Sequence, residues 1–223
     1  MFSGFTAHPI VVFSNGQNPR TLSYLTLRKF VGFVALLLPF ALTIPYRLIT
    51  CKPLELSLSA YYYTSMRNIF VGGLCAIAVV MICCRGFDDH DFYAGIFAAV
   101  CAFGVVFCPM KPPFCAPMYR YTAGKAHLCF AVALFLTLAY FCIVLFTKTA
   151  PPPAKPTLKK NQRNKVYYAC GAIILLSMAG ALAFHNQERL LGRVGTLLLF
   201  ESTSLWAFGV AWLVKGQLIL KDL

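Results

Sequence analysis

The stretch "FVGFVALLLPFALTIPY", residues 30–46, decides the fold class because it contains no charged side chain. A helix needs about 20 mostly apolar residues to cross the roughly 30 Å hydrocarbon core of a bilayer. Two prolines interrupt the run, but neighbouring helices can satisfy the backbone groups that proline frees inside a membrane. The stretch therefore predicts a first membrane-spanning helix that stays in the mature protein.

Five more apolar runs follow along the 223-residue chain, at residues 69–84, 92–108, 127–146, 166–184 and 195–214. Hydrophobic residues make up 59% of the sequence and charged residues only 12%, a balance outside that of soluble domains. We therefore predict an all-α, polytopic membrane protein, a six-transmembrane-helix bundle that forms a single membrane domain over residues 1–223.

The distribution of Lys and Arg predicts the orientation of this bundle. If the N-terminus is inside, the inner connections hold Arg20, Arg28, Lys29, Arg85, Lys148, Lys155, Lys159, Lys160, Arg163, Lys165, Lys215 and Lys221. The outer connections hold fewer: Arg47, Lys52, Arg67, Lys111, Arg120, Lys125, Arg189 and Arg193. Both termini are therefore predicted to be cytoplasmic. The net charge of +13 is dispersed over short loops without a recognition motif, which argues against nucleic acid as a partner.

One connection differs from the others in composition. Residues 148–165, "KTAPPPAKPTLKKNQRNK", are rich in proline and lysine and are predicted to form a stiff, extended cytoplasmic linker. Its cations either keep the orientation by the positive-inside rule or bind anionic lipids of the inner leaflet. The residues concerned are Lys155, Lys159, Lys160, Arg163 and Lys165. The sequence leaves open whether the protein forms a homo-oligomer.

Small residues spaced four apart predict close contacts between helices: Gly72 with Ala76, Gly95 with Ala99, Ala98 with Ala102, and Ser177 with Ala181. Most of the ten cysteines lie within the apolar runs as ordinary small residues. Three cysteines near the predicted outer side, Cys51, Cys108 and Cys115, would allow one disulfide in an oxidising compartment.

The short turn "RGFDDHDF", residues 85–92, gathers acidic side chains next to a histidine. A metal cluster is one interpretation. The other, which we favour, is that carboxylates at the start of a helix cap its free N–H groups and oppose the positive end of the helix dipole.

Glu201 is the one acidic residue placed well inside an apolar run, in "LLLFESTSLWAFG", residues 197–209. A charged side chain inside hydrocarbon costs about 2.5–3.5 kcal/mol even on insertion scales, so it needs a partner or a role. The predicted topology brings it to the outer mouth of the bundle. The tyrosines, Arg67 and Asn68 of "SLSAYYYTSMRNIFVGG", residues 57–73, lie at the same mouth, where the second helix begins. Arg67 is expected to be its counter-ion.

These residues predict a binding site for a lipid head group or small amphiphile at the outer leaflet, with Arg67 holding an anionic group and tyrosine hydroxyls and rings completing it. The candidate residues are Tyr61, Tyr62, Tyr63, Arg67, His127 and Glu201. Two alternatives remain open. The polar groups could simply hold the bundle together, or His127, His185 and Glu201 could form a metal site or act in acid–base chemistry. No cofactor is indicated.

The motif "SLSAYYYTSMRNIFVGGLCAIAV", with "CCRGFDDHD", "AGIFAAVCAFGVVFCP", "AHLCFAVALF" and "WAFGVAWLVKG", resembles a family of bacterial multi-helix membrane proteins. The resemblance covers residues 28–216 and implies a bacterial inner-membrane location, but no activity is assigned to the family. Relatives carry histidine and aspartate where this chain has Tyr63 and Asn68, so one candidate metal ligand and one candidate acid are missing here.

A more distant resemblance is to the membrane hydrolases that include alkaline ceramidases and adiponectin receptors. In these proteins a serine is followed four residues later by a histidine that binds zinc. Ser59 stands at the serine position, but Tyr63 replaces the histidine. The resemblance implies a membrane hydrolase as the alternative function.

Overall fold

The structure is a computed structural model that describes residues 23–84, 86, 88–110, 117–149, 157–184, 189–190 and 194–221. The side chains of residues 117–123 and 189–190 are not described.

The first helix, α1, covers Tyr24–Thr50. Ser23 begins it as an N-cap, because the Ser23 hydroxyl accepts a hydrogen bond from the Thr26 N–H at 3.1 Å. The helix ends at Cys51, which takes the left-handed conformation with φ 54°. At 1.5 Å per residue its 27 residues extend about 40 Å, which exceeds the roughly 30 Å thickness of a bilayer's hydrocarbon core.

Five further helices follow: α2 (Arg67–Cys83), α3 (Asp89–Phe107), α4 (Pro117–Tyr140), α5 (Leu158–Ala183) and α6 (Thr196–Lys215). A 3₁₀ segment covers Ser59–Tyr63, and a π-helical turn, Phe141–Leu145, continues α4. Two short antiparallel strands, β1 (Arg189–Leu190) and β2 (Val194–Gly195), precede α6. The predicted sequence positions of the helices are matched closely, with the largest extensions at the starts of α4 and α5.

Among the described residues, five helices are long and apolar enough to cross a membrane, namely α1, α3, α4 with its π-helical turn, α5 and α6. With 17 residues, α2 is shorter, although it is equally apolar. Large apolar side chains such as Leu48, Phe107 and Leu176 are about three-quarters exposed, as expected for a surface that contacts lipid. The prediction of an all-α, multi-pass membrane protein is confirmed.

Successive helices run in opposite directions, which hydrogen bonds between their ends establish. Arg28 at the start of α1 donates to the carbonyl of Lys215 at the end of α6, and Lys160 at the start of α5 donates to the carbonyl of Phe146 beyond α4. We call this the basic end. At the opposite end, which we call the tyrosine end, Tyr63 before α2 donates to the carbonyl of Met110 after α3.

The linker between α4 and α5 is shorter than predicted. Residues 158–165 do not continue an extended segment but form the first two turns of α5. Thr157 caps this helix by accepting the Lys160 N–H at 3.1 Å, and lysine, arginine and glutamine are good helix formers. The proline-rich residues 150–156 lie outside the described residues.

Glycines bring helices together at positions that the four-residue spacing only partly identifies. A Cβ on Gly95 would lie 2.9 Å from the carbonyl oxygen of Met81, so this glycine allows α3 to approach α2. Gly72, by contrast, has open space around it, and its predicted packing role is wrong. The closest approach between α1 and α6 uses Gly32 and Gly209, which carry no such spacing signal: a Cβ on Gly209 would lie 2.9 Å from the Gly32 oxygen.

The acidic turn before α3 acts as a cap, as favoured from the sequence. The Asp88 carboxylate accepts the Asp91 N–H at 3.0 Å. Lys148, beyond α4, lies 2.9 Å from Asp88 and 2.5 Å from the buried Asp91. Cys51 and Cys108 are free thiols, and Cys115 lies outside the described residues.

Candidate functional site

The segment between α1 and α2, residues 51–66, folds over the start of α6 at the tyrosine end. The carbonyl of Leu56 accepts the Leu198 N–H at 2.8 Å, which satisfies one of the free amides at a helix start. Gly195 makes this approach possible, since a Cβ there would lie 2.5 Å from the Leu56 backbone. The Glu55 carboxylate accepts the hydroxyl of Tyr46 at 2.6 Å, which ties the segment to α1 as well.

The Glu201 side chain, on α6, forms a hydrogen bond with this segment. Its Oε2 accepts the Leu58 N–H at 2.6 Å. The Ser57 hydroxyl accepts the Ala60 N–H at 3.1 Å, so the start of the 3₁₀ segment is held both by a local side chain and by Glu201 from another helix. A carboxylate has about four acceptor sites, and one backbone donor leaves capacity for further hydrogen bonds.

A cavity of about 630 Å³, including its mouth, lies beneath the segment and reaches into the bundle. Its walls come from α1, α2, α3, α4 and α6. The lining is apolar apart from Ser59 and Glu201 at one end: Leu38, Leu58, Phe70, Leu74, Ile77, Ala102, Val105, Ala131, Leu134, Phe135, Leu138, Leu205 and Phe208. The cavity is therefore a hydrophobic chamber with a single carboxylate near its end.

The three consecutive tyrosines have different surroundings. Tyr61 is completely buried, with its ring edge-on to Tyr46 at 5.3 Å, and its hydroxyl has no hydrogen-bond partner among the described residues. Burial raises the pKa of Tyr61 to about 12, so the phenol is neutral. Tyr62 and Tyr63 pack edge-to-face at 5.2 Å, and the Tyr63 hydroxyl donates to Met110 O at 2.6 Å. None of these tyrosines is among the residues that line the described cavity.

The expected ion pair between Arg67 and Glu201 is not formed. Arg67 is exposed, its guanidinium donates to the Tyr62 hydroxyl at 2.7 Å, and its Cζ lies 4.4 Å from the Tyr62 ring centroid. Glu201 faces the backbone of the 3₁₀ segment instead. Arg67 begins α2 and projects away from the bundle, whereas Glu201 lies more than a turn inside α6, so the two side chains leave their helices in different directions.

His127 is buried beside the end of α3. Its Nδ1 lies 2.9 Å from the carbonyl oxygen of Cys108, and since a carbonyl only accepts, Nδ1 carries the proton. The imidazole thus satisfies a carbonyl at the C-terminus of α3. His185, the third residue of the metal hypothesis, lies outside the described residues. Within the described part of the chain, no group of three His, Cys, Asp or Glu side chains is placed to hold a metal ion.

The structure thus brings Glu201 together with Ser59 and separates it from the Arg67–Tyr62 pair. Sequence reasoning missed Ser59 as a lining residue, although it stands in the quoted motif beside the tyrosines. It also missed Glu55, the only other glutamate among the described residues. The Glu55 carboxylate accepts a hydrogen bond from the Tyr46 hydroxyl, nine residues earlier in the chain. The sequence signals for this site were Ser59 and Glu55 themselves, polar residues in the segment between α1 and α2.

Comparison with known proteins finds no matching family model, no matching curated protein and no matching solved structure.

Proposed function

We propose that the protein binds an amphiphile in the cavity above, with the apolar chain between the helices and the head group at Glu201. The observation that carries this proposal is a carboxylate at one end of an otherwise apolar chamber. Ligand sites in proteins typically combine apolar walls with a few placed polar groups that fix orientation. The alternative of a purely structural Glu201 accounts for the cap but leaves the chamber beneath it without a role.

The position of Glu201 specifies the kind of head group. When ionised, a carboxylate only accepts hydrogen bonds, so the ionised form of Glu201 selects a donor such as an amine or a hydroxyl. The sequence led us to expect an anionic head group held by Arg67, but Arg67 is exposed and engaged with Tyr62. We therefore propose a single-chain amine or alcohol as the ligand class, with binding or transport as the activity.

The other residues predicted for the site would act on the segment that covers the cavity. Tyr61 fills the space beside Tyr46, Tyr63 ties the segment to Met110, and Arg67 stacks on Tyr62. His127 closes the end of α3. These contacts support a covering segment of defined shape above Glu201 and Ser59.

The membrane setting completes the proposal. We propose that all six helices cross a bacterial inner membrane, with both termini in the cytoplasm. The alternating helix directions support six crossings, and the basic end holds Arg28, Lys29, Lys148, Lys159, Lys160, Arg163, Lys165, Lys215 and Lys221. These cations would meet the anionic lipids of the inner leaflet.

Binding of radiolabelled hexadecylamine and hexadecan-1-ol to the purified full-length protein in detergent tests the cavity. We expect both to bind, and hexadecanoate to compete weakly because two carboxylates repel. Glu201→Gln should weaken hexadecylamine about tenfold, the loss of one charge-assisted hydrogen bond, and hexadecan-1-ol less.

Ala131→Phe fills the cavity without touching the carboxylate and should weaken both ligands. The matched control is Ala172→Phe, because Ala172 lies on the exposed face of α5. Binding that survives both Glu201→Gln and Ala131→Phe would show that the chamber is not the ligand site. If Glu201→Gln fails to fold, Ala131→Phe still decides the question.

A further inference from the structure

A second pocket lies at the basic end, on the opposite side of the bundle from Glu201. It lies between the starts of α1 and α3, the π-helical turn and the end of α6, and its space, with the open solvent at its mouth included, is about 340 Å³. We call it the basic pocket. Its polar lining consists of Tyr24, Arg28, Asp91, Trp212 and Lys215.

Two basic side chains, Arg28 and Lys215, line this space. Arg28 lies with its Cζ 4.0 Å from the ring centroid of Tyr24, and its NH1 is 3.5 Å from the carbonyl oxygen of Lys215. The Lys215 ammonium lies 3.1 Å from the carbonyl oxygen of Phe146. A guanidinium carries five N–H donors in a planar fork, and the contact with Lys215 O uses one of them.

Trp212 supplies the observation that points to a ligand. Its side chain is 2% exposed, and its indole N–H has no hydrogen-bond partner in the described part of the chain. Buried donors without partners are rare, and each costs about 1–3 kcal/mol. An indole N–H only donates, so the missing partner is an acceptor atom.

The wall also holds one carboxylate, Asp91, whose Oδ1 lies 2.5 Å from the Lys148 ammonium. Because that ammonium also pairs with Asp88, it balances only part of the charge of the two carboxylates. The hydrogen-bond donors that a ligand would meet are the Arg28 guanidinium, the Lys215 nitrogen and the Trp212 indole.

We propose that the basic pocket binds a phosphate group, with oxygens accepting from Arg28, Lys215 and the Trp212 indole. Arg binds phosphate with two parallel hydrogen bonds, and a tetrahedral oxyanion can accept from several directions at once. The group could belong to an anionic phospholipid or be free phosphate. The pocket lies where α1 and α6 reach the end of their membrane-length helices, which is the depth of lipid head groups.

Native mass spectrometry of the purified full-length protein with phosphatidylglycerol or phosphatidylcholine tests the lipid source. In a Trp206→Phe background, Trp212 fluorescence titrated with sodium phosphate against sodium chloride of equal ionic strength tests the free ion. Preferential retention of phosphatidylglycerol supports a lipid phosphate, and a phosphate-specific fluorescence change supports the free ion. The absence of both overturns the proposal.

Variants then assign the response to the pocket. Arg28→Gln should reduce binding about tenfold in either assay, and Trp212→Phe should do the same for lipid retention, which does not use Trp212 as its probe. Lys221→Gln, which removes one charge from the same end outside the pocket, should reduce binding much less than Arg28→Gln. An equal loss in Lys221→Gln would mean diffuse attraction to the basic end and would overturn the site. If Trp212→Phe does not fold, Arg28→Gln, at a half-buried position, carries the test.

Discussion

Glu201 shows how far the environment of a single residue decides its role. Its cost inside a membrane is readable from the sequence, and arginine was the obvious partner. The carboxylate instead accepts the backbone N–H of Leu58, which gives it a stabilising hydrogen bond without a counter-ion. Because this donor belongs to the covering segment, a ligand bound at Glu201 would also depend on the position of that segment.

Lys148 is a residue whose effect on stability can be tested directly. The Lys148 ammonium bridges Asp88 and the buried Asp91. Lys148→Met would leave the Asp91 carboxylate without its cation, and we expect it to lower the free energy of unfolding by about 1–3 kcal/mol. Thermal unfolding in detergent measures the loss, and Lys165→Met, at an exposed position of α5, is the control. Equal stability of the two variants would contradict the structural role of the bridge.

The same bridge predicts a pH dependence. The hydrogen bond from Lys148 holds the pKa of Asp88 below its ordinary value. Burial lowers the pKa of Lys148, but hydrogen bonds to Asp91 and Asp88 outweigh it and raise that pKa above its ordinary value. A carboxylate with a lowered pKa stabilises the fold above about pH 4 and loses this contribution as the pH falls. An ammonium with a raised pKa stabilises the fold below about pH 10.5 and loses it above.

Unfolding temperature measured across pH should therefore show a plateau whose acid and alkaline limbs both become shallower in Lys148→Met. A profile of unchanged shape in the variant would assign the limbs to other groups.

At the scale of the helices, close approach depends on which glycines face a neighbour. The backbones of α1 and α6 meet at Gly32 and Gly209, while Gly72 on α2 faces open space. Lipid provides no hydrophobic drive for helix association, so packing of this kind holds the bundle together. A four-residue spacing identifies pairs of small residues on the same helix. It does not identify a lone glycine that packs against a glycine of another helix.

Gly209→Ala should destabilise the bundle because its Cβ would lie 2.7 Å from Leu36 Cγ and 2.9 Å from the Gly32 oxygen. Overpacking of this kind costs about 1–3 kcal/mol. Gly72→Ala is the matched control and should be neutral or slightly stabilising, since alanine is the better helix former. Both are measured by unfolding of the purified protein in detergent, and an equal response would refute the contact between α1 and α6.

The end of α4 is a second feature of this scale. The π-helical turn Phe141–Leu145 widens the helix, and the Phe146 carbonyl beyond it accepts from both Lys160 and Lys215. π-Helical turns concentrate at functional positions. Here the turn forms one wall of the basic pocket.

For the whole molecule, the proposed pockets occupy opposite ends of one bundle. The cavity has Glu201 and Ser59 in its wall toward the tyrosine end, and the basic pocket lies at the end where the lysines gather. The proposal that these ends face opposite sides of the membrane depends on the proposed six crossings, of which α2, with 17 residues, would be the shortest.

Labelling with a membrane-impermeant maleimide tests the crossing of α2. In a background without native cysteines, Lys52→Cys precedes α2 and Asp89→Cys follows it, and both positions are exposed. In intact bacterial cells with a permeabilised outer membrane, we expect Lys52→Cys to be labelled and Asp89→Cys to be labelled only after the inner membrane is opened. Labelling of both positions from one side would show that α2 does not cross.

The sequence by itself determined what depends on local composition: an all-helical multi-pass protein, the approximate helix positions and the Asp88 cap. Run length and capping chemistry act within a few residues, so they can be read without knowing the neighbours. Tertiary structure decided which side chains meet: Glu201 with Leu58, Arg67 with Tyr62, Gly32 with Gly209, and Trp212 with Arg28 and Lys215 in one pocket wall. Those contacts depend on the rotation of each helix about its axis and on the path of residues 51–66, which are set by packing between segments far apart in the chain.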